Sequence, residues 1–293
     1  MMDYTLKNEY VDLKLSAYGG QLTSIKANAI EYLWQGDAAY WSGQAPILFP
    51  IVGSLRNKEA TVGKNKTCHM ERHGVARKQN FDMIACTGES ISFSFDSNES
   101  TLSQFPYRFH LIEKYVLHQN SIEVQYIVQN TGDGVLPFQI GGHPGFNCPL
   151  LQGERFEDYQ IEFEYPETAD CPQIVPDTGL VDVENRRRVL TDSKTLPLKH
   201  SLFYKDALIF DRLKSRNVKL RNPHTGHYVA LSFHDFNNLL IWSSSNDGPF
   251  VALEPWSGLA TCSDESDVFE EKRGIYLLEP RQMKSFSHTI TVG

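Results

Sequence analysis

The sequence is poor in basic charge, in paired cysteines and in long apolar runs, and each shortage removes a class of function. Lysine and arginine number 28 against 36 aspartates and glutamates, a formal net charge of 28 − 36 = −8. Nucleic acid and anionic membrane both call for a basic surface, so neither is an expected partner. The one basic run, Arg186-Arg187-Arg188, reads as a solvated loop. The five cysteines, at 68, 86, 148, 171 and 262, are widely spaced, odd in number and without a C-x-x-C pair. That is a poor disulfide framework and suits reduced thiols. The opening MMDYTLKNEY has no basic segment followed by an apolar one. No secretory signal is therefore expected, and the expected location is cytoplasmic. The apolar run Ala45 to Val52 is too short to span a bilayer and holds two prolines.

Familiar catalytic signatures are missing too. There is no G-x-S-x-G, no P-loop, no G-x-G-x-x-G after a strand and no H-E-x-x-H. His69 and His73, and His224 and His227, have no helix to bring both rings of a pair onto one ion. No metal and no other cofactor is expected.

Helical periodicity is the last absence. No stripe exceeds two turns, and Asp264 to Glu271 is the best short candidate. What the chain has instead is alternation. Val11, Leu13 and Leu15 alternate with Asp12, Lys14 and Ser16; Ile91, Phe93 and Phe95 alternate with Ser92, Ser94 and Asp96. Ile30 to Trp34, Tyr115 to Leu117, Ile122 to Val128, Tyr159 to Glu164 and Ser285 to Val292 also read as strands, with His118 to Ser121 as a hairpin turn. Ala45 to Gly53 is apolar but broken by proline, which predicts a buried, irregular segment. Tyr165 to Thr195, rich in Pro, Asp, Thr and Arg, predicts a long excursion over the surface. Short strands at about 8–12-residue spacing indicate an all-β, antiparallel sandwich. Without repeat, linker or low-complexity tract, one domain over residues 1–293 is expected.

Four stretches set polar groups in apolar or glycine-rich frames. In Gln139-Ile140-Gly141-Gly142-His143-Pro144-Gly145-Phe146, a lone imidazole stands among glycines and a proline that biases it toward extended backbone. Ser54-Leu55-Arg56-Asn57 follows the proline-broken run, and Glu71-Arg72-His73-Gly74-Val75-Ala76-Arg77 holds a second histidine. In Phe250-Val251-Ala252-Leu253-Glu254-Pro255-Trp256-Ser257-Gly258, a carboxylate ends four apolar residues. Such a carboxylate is costly to bury unless paired or used, and burial raises its pKa toward that of a general base near neutrality. Two histidines, an arginine and a carboxylate suit proton transfer on a polyhydroxylated substrate, and Trp34, Trp41, Trp242 and Trp256 offer flat faces for a sugar ring.

Taken in order, Trp34-Gln35-Gly36-Asp37 with Trp41, Pro46 to Gly53, His73-Gly74-Val75-Ala76-Arg77, Gly142-His143-Pro144-Gly145-Phe146 and Glu254-Pro255-Trp256-Ser257-Gly258 resemble the aldose 1-epimerase (galactose mutarotase) family, and within it the LacX-like branch. The resemblance runs from about residue 10 to the C-terminus. It implies a galactose mutarotase-like β-supersandwich and cofactor-free interconversion of sugar anomers. It implies Glu254 as catalytic base and His143 as catalytic acid, with His73, Arg56 and Asp206 binding the sugar. Asp206 is the best match for the family's sugar-binding aspartate, with Asp211 nearby, and Ala207 replaces the histidine that usually follows it. Two alternatives stand beside a free-hexose mutarotase: a hexose-6-phosphate 1-epimerase, which needs a further cation such as Arg72 or Arg77, and a non-catalytic sugar-binding protein on the same fold. The sequence leaves the oligomeric state open.

Overall fold

The structure, a computed structural model, describes residues 3–63, 66–176 and 178–293. Among the described residues its largest sheet has nine antiparallel strands, in the order Val181–Pro197, Gln160–Ile174, Asn217–Arg221, Tyr228–Ser232, Met283–Val292, Ser121–Asn130, Phe109–His118, Ser90–Asp96 and Asp82–Cys86. The alternation seen in the sequence becomes the inside and outside of this sheet. Along Phe109–His118 and Ser121–Asn130 every second residue is buried, and the two strands meet across the Gln119-Asn120 turn, where Gln119 takes φ 56°. A four-stranded sheet at the N-terminus, Asp3–Lys7, Asp12–Ser16, Leu22–Ala27 and Ile30–Glu31, packs its leucines into the same core.

A second, six-stranded sheet carries the chemistry. Its order is Leu208–Phe210, Asn238–Trp242, Phe250–Trp256, Gly141–Gly142 and Ile47–Leu48, with Gly145–Asn147 also paired to Phe250–Trp256. Phe250–Trp256 is buried along its whole length, which explains why it reads as a continuous apolar run rather than an alternating one. All five cysteines are free thiols.

Three local expectations need correction. The stretch from Tyr165 to Thr195 is not a loop. It forms most of a long hairpin, Gln160–Ile174 with Val181–Pro197, at the edge of the nine-stranded sheet. Its pairing is interrupted by repeated register shifts, so the period-two pattern is lost and a polar edge strand looks like loop. The candidate helix at Asp264 to Glu271 is only a 3-10 turn, Phe269–Glu271. The α-helix among the described residues lies at Glu99–Gln104, where Asn98 and Thr101 form a reciprocal cap. Ile30 to Trp34 is a strand only at Ile30–Glu31, with Leu33 bridging to Phe146.

Candidate active site

The site is assembled on the Phe250–Trp256 strand. Gly141 pairs with Trp256, and Gly145 pairs with Ala252. Between those two pairings the opposite chain leaves the ladder at His143-Pro144, beside Leu253 and Glu254. Leu253 N–H donates to Pro144 O at 3.1 Å, and His143 N–H donates to Pro46 O at 3.1 Å, so the departure is hydrogen-bonded at both ends. Buried Gln139 secures the approach, accepting from Val52 N–H and donating to Leu259 O and Arg273 O. The result is that His143 Nε2 stands 3.2 Å from Glu254 Oε2, with both side chains buried.

The contact is close but not aligned as a hydrogen bond. Glu254 Oε2 and His143 Nδ1 are both buried without a hydrogen-bond partner, as are Trp256 Nε1 and Arg77 Nε. All four residues line one cavity of about 220 Å³. Orphaned buried polar atoms are rare in native proteins, and four around one hollow mark a place prepared for a polar ligand. Burial raises the Glu254 carboxyl well above its ordinary range, the charge of Asp206 adds to this, and the adjacent Trp256 side chain and, less, Arg72 oppose it. Burial also pushes the His143 imidazole down to about 3, reinforced by the charges of Arg77 and Arg72. Both shifts run against the ionised form of the group concerned, as burial of an acid and a base side by side requires.

His73 is fixed by its backbone. It adopts φ 71°, and its Nδ1 accepts the Gly53 N–H at 3.1 Å. That bond requires the proton on Nε2, so His73 is a neutral donor at that atom; burial holds its pKa well below the usual value. The neighbouring Gly74, at φ 76°, lies so close to Phe49 that a Cβ would meet its carbonyl oxygen at 2.3 Å, which only glycine allows. Aromatic rings frame His143. Trp41 stacks on His143 with ring centroids 4.6 Å apart, and Trp242 meets its edge at 5.5 Å. Trp34 sits behind them, stacked on Phe250 and donating its indole N–H to Trp41 O at 2.7 Å. Of the four tryptophans, Trp41, Trp242 and Trp256 line the cavity.

Of the residues expected in the site, Glu254, His143, His73 and Asp206 line this cavity together, and Arg56 does not. The Arg56 guanidinium pairs with Asp267 and donates to the carbonyls of Cys262, Ser263 and Glu265. It is spent on holding that loop. Its place in the cavity wall is taken by Arg72 and Arg77, which flank His73 in sequence; their spacing about that histidine was the available clue. Asp206, at φ 110°, accepts its own neighbour's N–H from Ala207. Asp211 is committed elsewhere, gripped at both oxygens by Arg186.

The family model described as aldose 1-epimerase matches residues 2–266. The chain belongs to the aldose 1-epimerase family. A curated relative, the chromosomal protein LacX of Lactococcus lactis subsp. lactis, is 43% identical over 297 residues, covering 99% of each chain. Among solved structures, a galactose mutarotase related enzyme from Lactobacillus acidophilus is 34% identical with a TM-score of 0.94, covering 100% of this chain and 97% of that one. A galactose mutarotase-like protein from Lactobacillus casei is 28% identical with a TM-score of 0.91, covering 100% of both chains. The all-β aldose 1-epimerase fold is thus the architecture in which the His143–Glu254 pair is set.

Proposed function

We propose that this aldose 1-epimerase family member is a mutarotase, interconverting the α and β anomers of a hexose by opening and reclosing the ring. The observation that carries the reading is the buried His143–Glu254 pair, 3.2 Å apart at the wall of a sugar-sized hollow. In the tautomer with carboxylate and imidazolium, Glu254 takes the proton of the anomeric hydroxyl. As the C1–O1 bond becomes a carbonyl, the electrons of the C1–O5 bond pass to the ring oxygen, which takes the proton from His143. The C1–C2 bond then rotates. On addition of the C5 hydroxyl to the other carbonyl face, that hydroxyl returns its proton to His143 and Glu254 gives its proton back to O1, restoring both residues. His73 Nε2–H, Trp256 Nε1–H and Asp206 are the groups available to sugar oxygens. No net charge is created in the pocket at any stage, which suits reacting groups that are themselves buried.

The test is polarimetry on freshly dissolved α-D-galactose and α-D-glucose, with anomer exchange followed by NMR. Enzyme-dependent acceleration above the spontaneous rate is expected for at least one; none for either overturns the reading.

A second reading, a hexose-6-phosphate 1-epimerase, is favoured by one observation. Arg72 and Arg77 both line the cavity, and neither is in an ion pair among the described residues. Two cations without a carboxylate suit an anionic substituent. Rates on a hexose and its 6-phosphate, compared side by side, separate the two.

A further inference from the structure

One wall of the cavity is set by a loop that carries a buried charge. Gly53, Val181 and Ala260 line the cavity with His73, and the segment Ala260 to Ser263 ties the other two together. Thr261 N–H donates to Ser54 O at 2.9 Å, Val181 N–H donates to Thr261 O at 3.1 Å, and Ser263 N–H donates to Val181 O at 2.9 Å. The fit at Gly53 is close. It stands at φ 69°, and a Cβ there would meet Ala260 Cβ at 2.5 Å. The same glycine holds His73 at two points. Gly53 N–H donates to His73 Nδ1 at 3.1 Å, and His73 N–H donates to Gly53 O at 2.8 Å.

A lysine holds the segment in turn. Lys272 Nζ donates to Thr261 Oγ1 and faces Glu265 Oε2 at 3.5 Å, with the two charged side chains only 2% and 8% exposed. Glu265 is committed at both oxygens. Oε2 accepts Cys262 N–H at 2.9 Å, and Oε1 accepts Arg273 N–H at 2.7 Å. Arg273 O accepts from Gln139, which also receives the Val52 N–H. Both ends of the loop are thus fastened to Val52, Gly53 and Ser54. Lysine is almost never this buried unless paired, and a buried ion pair is weak evidence of added stability. Stability alone therefore does not account for a cation here. The geometry supplies another use. Three hydrogen bonds and one peptide bond join Lys272 to the His73 ring, by way of Thr261, Ser54 and Gly53.

We infer that Lys272 is a positioning residue: through Thr261 and the Gly53-Ser54 peptide it holds His73 with Nδ1 accepting and the proton on Nε2. Its effect on turnover kinetics rests on the mutarotase reading, in which that Nε2–H is available to a sugar oxygen; the hold on the ring does not. Two variants test it. Lys272→Met removes the ammonium and leaves Glu265 buried without its cation, which is costly. Thr261→Val removes only the hydroxyl and keeps the ion pair, so the test stands if Lys272→Met does not fold; circular dichroism checks both. Nitrogen-15 NMR of imidazole-labelled protein reads the tautomer without any substrate, the His73 signals being assigned by their loss in His73→Asn. The neutral Nε2–H form is expected in the wild type, with a clearly measurable fraction of the Nδ1–H form in each folded variant. In NMR anomer exchange, KM is expected to rise about tenfold in Lys272→Met and several-fold in Thr261→Val, with kcat within threefold of wild type. On a His73→Asn background each is expected to add less than twofold, since coupled residues lose their effect once the partner is gone. An unshifted tautomer in the folded variants overturns the positioning role, as does a KM rise of the same size on the His73→Asn background. A wild-type chain that exchanges no sugar overturns the mutarotase reading, and the tautomer alone then upholds or overturns the role of Lys272.

Discussion

Nε2 of His143 and Oε2 of Glu254 face each other at 3.2 Å across the break between two short strands that share one partner. The proposed acid and base are thus placed by the register of a sheet. Glu254→Gln keeps the shape and removes the proposed base. Mutarotation is expected to fall by roughly 10²–10⁴-fold, with sugar binding largely retained by calorimetry. His143→Ala is expected to cost a similar factor in kcat. A Glu254→Gln enzyme as fast as wild type would remove this carboxyl from the mechanism.

The pH profile should report the pair and not either group alone. In the proposed mechanism the two share one proton at intermediate pH, and the tautomer with carboxylate and imidazolium is a constant fraction of that state. Activity should fall in acid as the pair gains a second proton near the His143 value of about 3. It should fall again in alkali as the pair loses its only proton, at a point raised well above an ordinary carboxyl by burial. The kcat/KM for anomer exchange, corrected for the spontaneous rate, is therefore expected to be flat between two limbs. A rate that climbs steadily through neutrality with no alkaline limb would contradict a shared proton.

Trp41 owes its place to a missing side chain. A Cβ at Gly145 would meet Trp41 Cζ3 at 2.7 Å and Trp34 Cβ at 3.3 Å. Gly145→Ala must displace the ring stacked on His143. Overpacking of this kind costs about 1–3 kcal/mol of stability, measurable by urea unfolding, and kcat is expected to drop about tenfold.

His73 is expected to act on affinity more than on turnover. Its left-handed backbone is one that asparagine tolerates, so His73→Asn should fold. It lacks the Nε2–H donor directed by the Gly53 bond. A tenfold rise in KM with kcat within threefold is the expected outcome in steady-state exchange kinetics; the reverse split would make His73 part of the proton transfer.

His288 offers a test of stability apart from the site. It is buried against Tyr126 and Phe236, its Nδ1 has no hydrogen-bond partner, and burial holds its pKa at about 3. A histidine whose pKa is lowered on folding takes up a proton more readily when unfolded. Stability is complete above the unfolded value near 6.5 and is lost as pH falls from there toward 3, at about 1.4 kcal/mol per pH unit for each such residue. His73 and His143 act in the same direction. Glu113 and Glu254, both raised by burial, act oppositely as pH rises above about 4.5. In urea titrations between about pH 4 and pH 6.5, His288→Phe should reduce the dependence of stability on pH by roughly one histidine's slope. An unchanged slope would show that His288 is not the titrating group.

Much of this was legible in the sequence because it is local. Alternation along Ser121–Asn130 and the carboxylate closing the apolar run at Glu254 need no knowledge of distant chain. The glycine frame of His143 is of the same kind. Partner choice was not legible. Arg56 looks as available as Arg77 in one dimension, and only the folded chain shows that Asp267 and three carbonyls claim it. The hairpin Gln160–Ile174 with Val181–Pro197 failed for another reason, since register shifts erase the period that announces a strand. The stacking of Trp41 on His143 joins residues about a hundred positions apart, which no spacing rule reaches.

The pairing of Phe250–Trp256 with both flanks of His143-Pro144 has a consequence for how such a protein can change. His143 and Glu254 are bolted to the rigid frame, whereas other parts of the cavity wall come from Ile174 at the hairpin end and from Asp206 and Ala207. Those outer pieces can be edited, one substitution at a time, while the buried His143–Glu254 pair beneath is inherited intact.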